Sequence, residues 1–171
     1  MIGTDITVEL LLEIFRSSIG SITLPVIIGY LDKAKFAGFI DSDPVNPRIY
    51  NFLDENGKNV AYSRLLYSHR TNLHIKIANI YEGWLMTNSD QPYNNIIYEK
   101  LVYHWNCVLE STLAFDDRVD QLALRNYVKY LHLLGRSDVA LEKLHLLPDP
   151  AERDNLKRSL TISASSSDIT E

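Results

Sequence analysis

The sequence has a single cysteine, Cys107, among its 171 residues. A disulfide within the chain is therefore excluded, and a reducing compartment such as the cytoplasm is the expected location. No apolar run reaches the roughly 18 residues that a membrane-spanning helix needs. The first residues also lack a basic segment followed by an apolar one, so a secretory signal is not expected. These absences favour a cytoplasmic protein that does not enter a membrane.

Motifs for nucleotides and metals are also missing. The seven glycines lie far apart, and none begins a loop of the kind that surrounds a phosphate before a helix. His69 and His74 are five residues apart, about 140° around a helix, so they cannot chelate one ion from one face. We therefore expect no cofactor and no metal.

Catalytic motifs are equally scarce. No serine lies in a Gly-x-Ser-x-Gly turn, and Ser63 and Ser68, near His69, are explained by a helix surface or a helix cap. Cys107 has apolar neighbours and is expected to be a core or boundary residue. Acidic pairs lie at loops or helix starts, where they complement the helix dipole and cap free N–H groups: Asp41 with Asp43, Asp54 with Glu55, and Asp116 with Asp117. We expect no catalytic residue in this chain.

The charge balance gives little support to a nucleic-acid surface. The net charge is −5, from 17 basic and 22 acidic residues, whereas phosphate binding depends mainly on Lys and Arg. One basic cluster stands out, formed by Arg64, His69, Arg70, His74 and Lys76. We expect it to be the solvated face of two helices. The alternative is a contact with an acidic protein surface or a nucleotide phosphate.

The first third of the chain predicts two helices followed by two short strands. Apolar residues recur at helical spacing over residues 7–17. Thr23 and Pro25 then begin a second helix, which runs to about Phe36. Strands are expected at residues 38–41 and 49–53, with a turn-rich loop between them. This order is typical of a winged-helix-like domain with a two-stranded wing, which we place at residues 1–55.

The rest of the chain predicts helical hairpins. Residues 56–147 read as bridging helices followed by antiparallel hairpins similar to tetratricopeptide repeats, although a strict repeat length is absent. Apolar stripes account for both tryptophans, Trp84 and Trp105, as packing residues. Residues 148–171 are expected to form a flexible tail, disordered from about residue 159 because Ser and Thr dominate there. The expected fold class is mainly α.

Several short motifs give the chain a family resemblance. In chain order they are Phe39-Ile40, Tyr50-Asn51-Phe52, Val60-Ala61-Tyr62, the pattern Arg-x-x-Leu-His-x-x-Ile-Ala-x-x-Tyr-Glu from Arg70 to Glu82, and Leu101-Val102-Tyr103-His104-Trp105. Together they resemble the region that follows the AAA/STAND-type ATPase module in soluble-type class III adenylyl cyclases and related signalling ATPases. The family's cyclase domains and nucleotide-binding core have no counterpart here, so none of its catalytic or nucleotide-contacting residues is assigned.

The resemblance implies a non-catalytic regulatory or protein-interaction module. Such a module is expected to be a fragment, a mis-split gene product or a degenerate relative of a larger protein in cyclic-AMP signalling. Its partner would be the missing domains or another protein. Two alternatives stay open. One is a winged-helix transcription regulator of the same ATPase superfamily, for which DNA is the less expected partner because the second helix is mostly apolar. The other is a small enzyme with an unrecognised acid–base site.

Overall fold

A computed structural model of the chain describes residues 6–87, 94–111, 117–147 and 149–166. Over these residues the chain is mainly helical, with 77% of them in eight α-helices beside a small three-stranded antiparallel sheet. The elements are β1 Ile6–Thr7, α1 Val8–Ile19, α2 Leu24–Phe36, β2 Ile40–Ser42, β3 Ile49–Phe52, α3 Glu55–Ser63, α4 Tyr67–Thr87, α5 Asn94–Ser111, α6 Asp117–Leu133, α7 Ser137–Lys143, a 3₁₀ turn Leu144–Leu146, and α8 Pro150–Ser166.

The chain divides into two compact units, Met1–Ile80 and Tyr81–Glu171. The division falls within α4, whereas the sequence placed a boundary near residue 55. Each unit is described by itself below. The predicted division into a domain at 1–55 and a second one at 56–147 stays a prediction.

Local signals in the first unit define α1 and α2 as the sequence indicated. The Thr7 hydroxyl accepts a hydrogen bond from the Leu10 amide at 3.2 Å and so caps the start of α1. Gly20, at φ 74°, ends that helix with its amide bonded to the Arg16 carbonyl. Pro25 lies in the first turn of α2, where its missing N–H costs least. Thr23 precedes α2 as expected, but its side chain makes no capping hydrogen bond.

The sheet has one more strand than the sequence predicted. Its order is β1-β3-β2, with Ile6 opposite Tyr50 and Ile40 opposite Phe52. The expected two-stranded wing therefore corresponds to β2 and β3 alone. Because β1 has only two residues, it is too short to show the alternation of apolar and polar residues by which a strand is recognised.

The core of the first unit lies between the helices and this sheet. Its buried members are Val8, Ile27, Leu31, Ile40 and Tyr50. Half-buried apolar side chains from α1, α2 and β3 pack around them. The core of the unit therefore covers one side of α2. The remaining apolar residues of α2 determine whether the helix also exposes an apolar surface.

The second unit is built on packed helices. α5 packs along α6, and α6 packs in turn on α7. Fully buried side chains come from these helices and the segment after α7, among them Leu101, Trp105, Val108, Val128 and Leu147. Gly135, at φ 75°, follows α6, where a glycine in the left-handed region is a common end of a helix.

The expected tail differs from the observed structure. The sequence predicted disorder from about residue 159, whereas α8 continues to Ser166. Leu160 of this helix is buried, and Glu152 near its start forms an ion pair with Arg125 of α6. The burial of Leu160 therefore stabilises the helix despite its many Ser and Thr residues, and composition alone does not indicate such a contact. The part of the predicted tail at residues 167–171 lies outside the described residues.

Replacing either of two glycines in the second unit by alanine is expected to change the free energy of unfolding, in opposite directions at the two positions. Gly135 has a left-handed backbone, which costs an L-residue about 1–2 kcal/mol, so Gly135→Ala is expected to destabilise by about that amount. Gly83 lies inside α4 with open space around its Cα, so Gly83→Ala is expected to stabilise by about 0.5–1 kcal/mol. Urea denaturation followed by far-UV circular dichroism measures both. Stability changes of the same sign would contradict the positions described for Gly135, after α6, and Gly83, inside α4.

Candidate functional site

The joint between α3 and α4 contains the most unusual side-chain cluster of the first unit, formed by Tyr62, Arg70 and His74. His74 is only 5% exposed, and its Nε2 lies 2.9 Å from the Tyr62 hydroxyl. The two rings meet edge to face at 5.8 Å. Because burial disfavours the charged imidazolium, the pKa of His74 is lowered to about 4. His74 is therefore neutral near pH 7 and acts as a packing and hydrogen-bonding group.

Arg70 closes the carboxyl end of α3. Its Nε donates to the Leu65 carbonyl at 2.9 Å, and its Nη2 donates to the Ser63 carbonyl at 2.6 Å. Its guanidinium also lies over the rings of Tyr62 and Tyr67, 4.8 and 4.9 Å from their centroids. These contacts satisfy carbonyl groups that a helix end leaves unpaired.

The expected solvated basic face is therefore corrected for two of its five members. His74 is buried, and Arg70 is bound to backbone carbonyls and stacked on aromatic rings. Arg64 and His69 are exposed, as the sequence indicated, and Lys76 is half-buried. Helical periodicity did not reveal the role of His74 because its partner, Tyr62, lies on another helix.

Asp43 and Asp54 make the local contacts that the sequence indicated, whereas Asp41 lies in β2 and pairs with Lys35 of α2. Asp54 caps α3 by accepting hydrogen bonds from the amides of Asn56 and Gly57. Asp43 accepts from two amides of the β2–β3 loop at 2.8 Å. Asp41 accepts a hydrogen bond from Lys35, and this bond lowers the pKa of the Asp41 carboxyl. Asp116 lies outside the described residues.

Cys107 has the surroundings of a structural residue. Its side chain is half-buried in α5, and burial raises the pKa of its thiol. A raised pKa keeps the thiolate, the nucleophilic form, scarce at neutral pH. The geometry thus agrees with the interpretation of Cys107 as a core or boundary residue.

The clearest candidate for an interaction surface is one side of α2, formed by Val26, Tyr30 and Lys33 and called here the α2 face. These residues are spaced by four and three, so they lie on the same side of the helix. Tyr30 is 64% exposed, and the Lys33 ammonium lies 5.7 Å from the centroid of its ring. Phe36, at the end of the helix, is 96% exposed. α2 therefore exposes several apolar side chains away from the side that its own unit covers.

The charges around this face are engaged in local contacts. Lys35 pairs with Asp41 at 2.7 Å, and Arg48 of the β2–β3 loop pairs with Glu9 at 2.6 Å. A helix and loop that read DNA need basic groups directed at phosphates. The observed pairs therefore give the DNA-binding alternative no support.

Searches for related proteins and for ligand groups add little to this geometry. No family model, curated protein or solved structure matches the chain. Within the described residues, no group of three His, Cys, Asp or Glu side chains is arranged to hold a metal ion. Over the same part of the chain, no helix combines the length and apolar character needed to cross a bilayer.

Proposed function

We propose that the chain is a non-catalytic regulatory and protein-interaction module of a larger cytoplasmic signalling protein. Its parent would be a soluble-type class III adenylyl cyclase or a related AAA/STAND-type ATPase. The partner of the module is the ATPase module of that protein. The observation that carries the proposal is the α2 face, which exposes apolar side chains while nearby charges pair within the chain.

The order of elements in the first unit supports a winged-helix-like domain. Two helices precede the β2–β3 hairpin, and β1 pairs with β3 at the edge of the sheet. In this arrangement residues 43–48 correspond to the wing, and α2 corresponds to the helix that presents a surface to a partner. Because the exposed residues of α2 are largely apolar, a protein surface suits it better than a nucleic acid.

The motif residues behind the family resemblance have physical roles at one joint. Tyr62, from the Val-Ala-Tyr motif, contacts both Arg70 and His74 of the following motif. Ala78 of that second motif is fully buried, so a larger side chain there requires rearrangement. Residues that must fit each other in this way explain why the motifs occur together. This supports the resemblance, and it assigns the motifs a structural purpose.

The second unit supports the repeat-like part of the proposal. Helices α5, α6 and α7 pack in sequence, each on the next one, with short connections between them. Stacked hairpins of this kind present concave surfaces to partners in tetratricopeptide-type proteins. The mechanism we propose is mechanical: the first unit binds the ATPase module, and the helical hairpins recruit further proteins.

A binding measurement with one changed residue tests the proposal. The probe is a purified ATPase module from a soluble-type cyclase of the same genome, preferably one encoded directly upstream. We expect the chain to bind it, and Tyr30→Glu to weaken binding at least about tenfold, because a buried unpaired charge costs several kcal/mol. Met86→Glu is the matched control, since Met86 is 83% exposed on α4. Isothermal titration calorimetry gives each dissociation constant.

Three results would count against the proposal. Equal dissociation constants for the wild type and Tyr30→Glu would show that the α2 face is not the contact surface. Salt-dependent binding to duplex DNA, abolished by Lys33→Gln, would favour the transcription regulator instead. Formation of cyclic AMP from ATP by the purified chain alone would contradict its non-catalytic character.

A further inference from the structure

A cavity of about 500 Å³ lies in the second unit, between α7, the 3₁₀ turn and the first two turns of α8. Its volume falls in the range of small-molecule sites, roughly 300–1,000 Å³. Basic side chains line one part of it, namely His145, Arg153 and Lys157, and leucines line another. The sequence alone did not indicate this site because its residues come from two separate helical segments, one ending before residue 147 and one beginning at Pro150.

The cavity has an excess of positive charge. Arg153 and Lys157 are four residues apart, so they lie on the same side of α8. Arg153 is at the end of the first turn of that helix, where the helix dipole also favours an anion. Asp154 is the one acidic residue of the lining. Two permanent cations therefore face one carboxylate, and a bound anion would balance the difference.

These cations differ from other arginines of the unit. Arg125 and Arg136 form ion pairs with Glu152 and Glu99, respectively. Among the described residues, neither Arg153 nor Lys157 has a carboxylate partner within ion-pair distance. The Arg153 Nε itself is buried and does not reach the cavity. Phosphate oxygens are strong acceptors for the other N–H groups of a guanidinium.

His145 adds an imidazole ring to the lining. Its Nδ1–H donates to the Glu142 carbonyl, which leaves Nε2 as the ring nitrogen outside this bond. Leu141 and Leu144 supply apolar surface in the same cavity. The lining thus combines anion-binding groups with a contact for an apolar body.

We propose that this cavity binds a small phosphomonoester. The phosphate group lies between Arg153 and Lys157, and the remainder of the ligand covers Leu141 and Leu144. The volume leaves room for such a body beyond the phosphate group, so an organic phosphate fits the cavity better than inorganic phosphate does. This inference concerns the second unit and is independent of the partner proposed for the α2 face.

Calorimetric titration of the full chain with phenyl phosphate tests the site. We expect saturable binding, at least about fivefold weaker binding of inorganic phosphate, and no binding of phenol, because both parts of the ligand contribute. Lys157→Gln and Arg153→Gln are each expected to weaken phenyl phosphate binding at least about tenfold. Arg118→Gln, an exposed change of the same charge on α6, is the control and should leave binding within about twofold.

The outcomes separate a built site from general attraction. No saturable binding of phenyl phosphate by the wild type would overturn the proposal. Equal weakening by Arg118→Gln and Lys157→Gln would also overturn it, because net charge alone would then explain the binding. Equal affinity for phenol and phenyl phosphate would also overturn it, because the phosphate group would then contribute nothing to binding. If Arg153→Gln does not fold, Lys157→Gln decides, since Lys157 is exposed on α8.

Discussion

Acidification from pH 7 to pH 4 is expected to lower the free energy of unfolding by up to about 3 kcal/mol through His74 alone. The pKa of His74 is about 4 in the folded chain, whereas an unfolded histidine titrates near 6.5. Each unit of difference corresponds to about 1.4 kcal/mol. The unfolded state therefore binds more protons between these values, so stability falls as the pH decreases from 6.5 to 4 and is constant above 6.5 with respect to this group.

Urea denaturation at several pH values, with two matched variants, measures this effect. His74→Gln removes the titrating group, so the part of the stability loss that is due to His74, up to about 3 kcal/mol between pH 6.5 and 4, should disappear. His69→Gln changes an exposed histidine on the same helix and should leave the pH dependence as it is in the wild type. A histidine ring resonance of His74 that titrates above pH 6 would contradict the buried, neutral assignment.

Truncation of Trp105 is expected to have the largest effect on stability. Its side chain is only 1% exposed in the middle of α5, and Trp→Ala changes in cores cost about 3–5 kcal/mol. Phe36→Ala is the control, because it also removes a large aromatic ring but from a site that is 96% exposed. That change is expected to stay within about 0.5 kcal/mol. Chemical denaturation followed at 222 nm gives both values.

A third variant separates packing from hydrogen bonding at this position. The indole N–H of Trp105 is buried and makes no hydrogen bond in the described structure. Trp105→Phe removes that donor and keeps most of the ring, so its cost is expected to be less than half that of Trp105→Ala. Equal costs for the two variants would show that the indole N–H has an acceptor in solution.

Much of the helical framework was predictable because local signals decide it. Thr7, Pro25 and Gly135 mark helix ends through capping and backbone geometry, and Pro25 lies at the start of α2, as the sequence predicted. The apolar face of α5 likewise identified Trp105 as a packing residue, which its burial confirms. Signals of this kind depend on neighbours within one or two helical turns, and a single sequence contains them in full.

The remainder depended on contacts between distant residues. β1 exists because Ile6 and Thr7 pair with β3, more than forty residues later in the chain. His74 is buried beside Tyr62 of another helix, with which it forms a hydrogen bond. α8 extends past residue 159 because Leu160 reaches a buried position, although its Ser- and Thr-rich sequence predicted disorder. The cavity beside Arg153 forms only when α7 and α8 fold toward each other.

The two candidate surfaces assign different tasks to the two units. The α2 face of the first unit offers an exposed aromatic ring and an aliphatic side chain, with the nearest cation over that ring. The cavity of the second unit offers a small apolar surface and two cations that have no carboxylate partner among the described residues. A module with both properties would join a protein contact to the sensing of a small phosphorylated ligand. The protein contact and the ligand site are tested by separate experiments, and neither result depends on the other.

The central claim is that the α2 face contacts an ATPase module, and hydrogen–deuterium exchange tests it most directly. Exchange in the chain alone is compared with exchange in the presence of the purified ATPase module. The account predicts slower exchange in residues 24–36, with little change in residues 55–63 of the neighbouring α3. Unchanged exchange across residues 24–36, at a concentration where calorimetry shows a saturated complex, would contradict it.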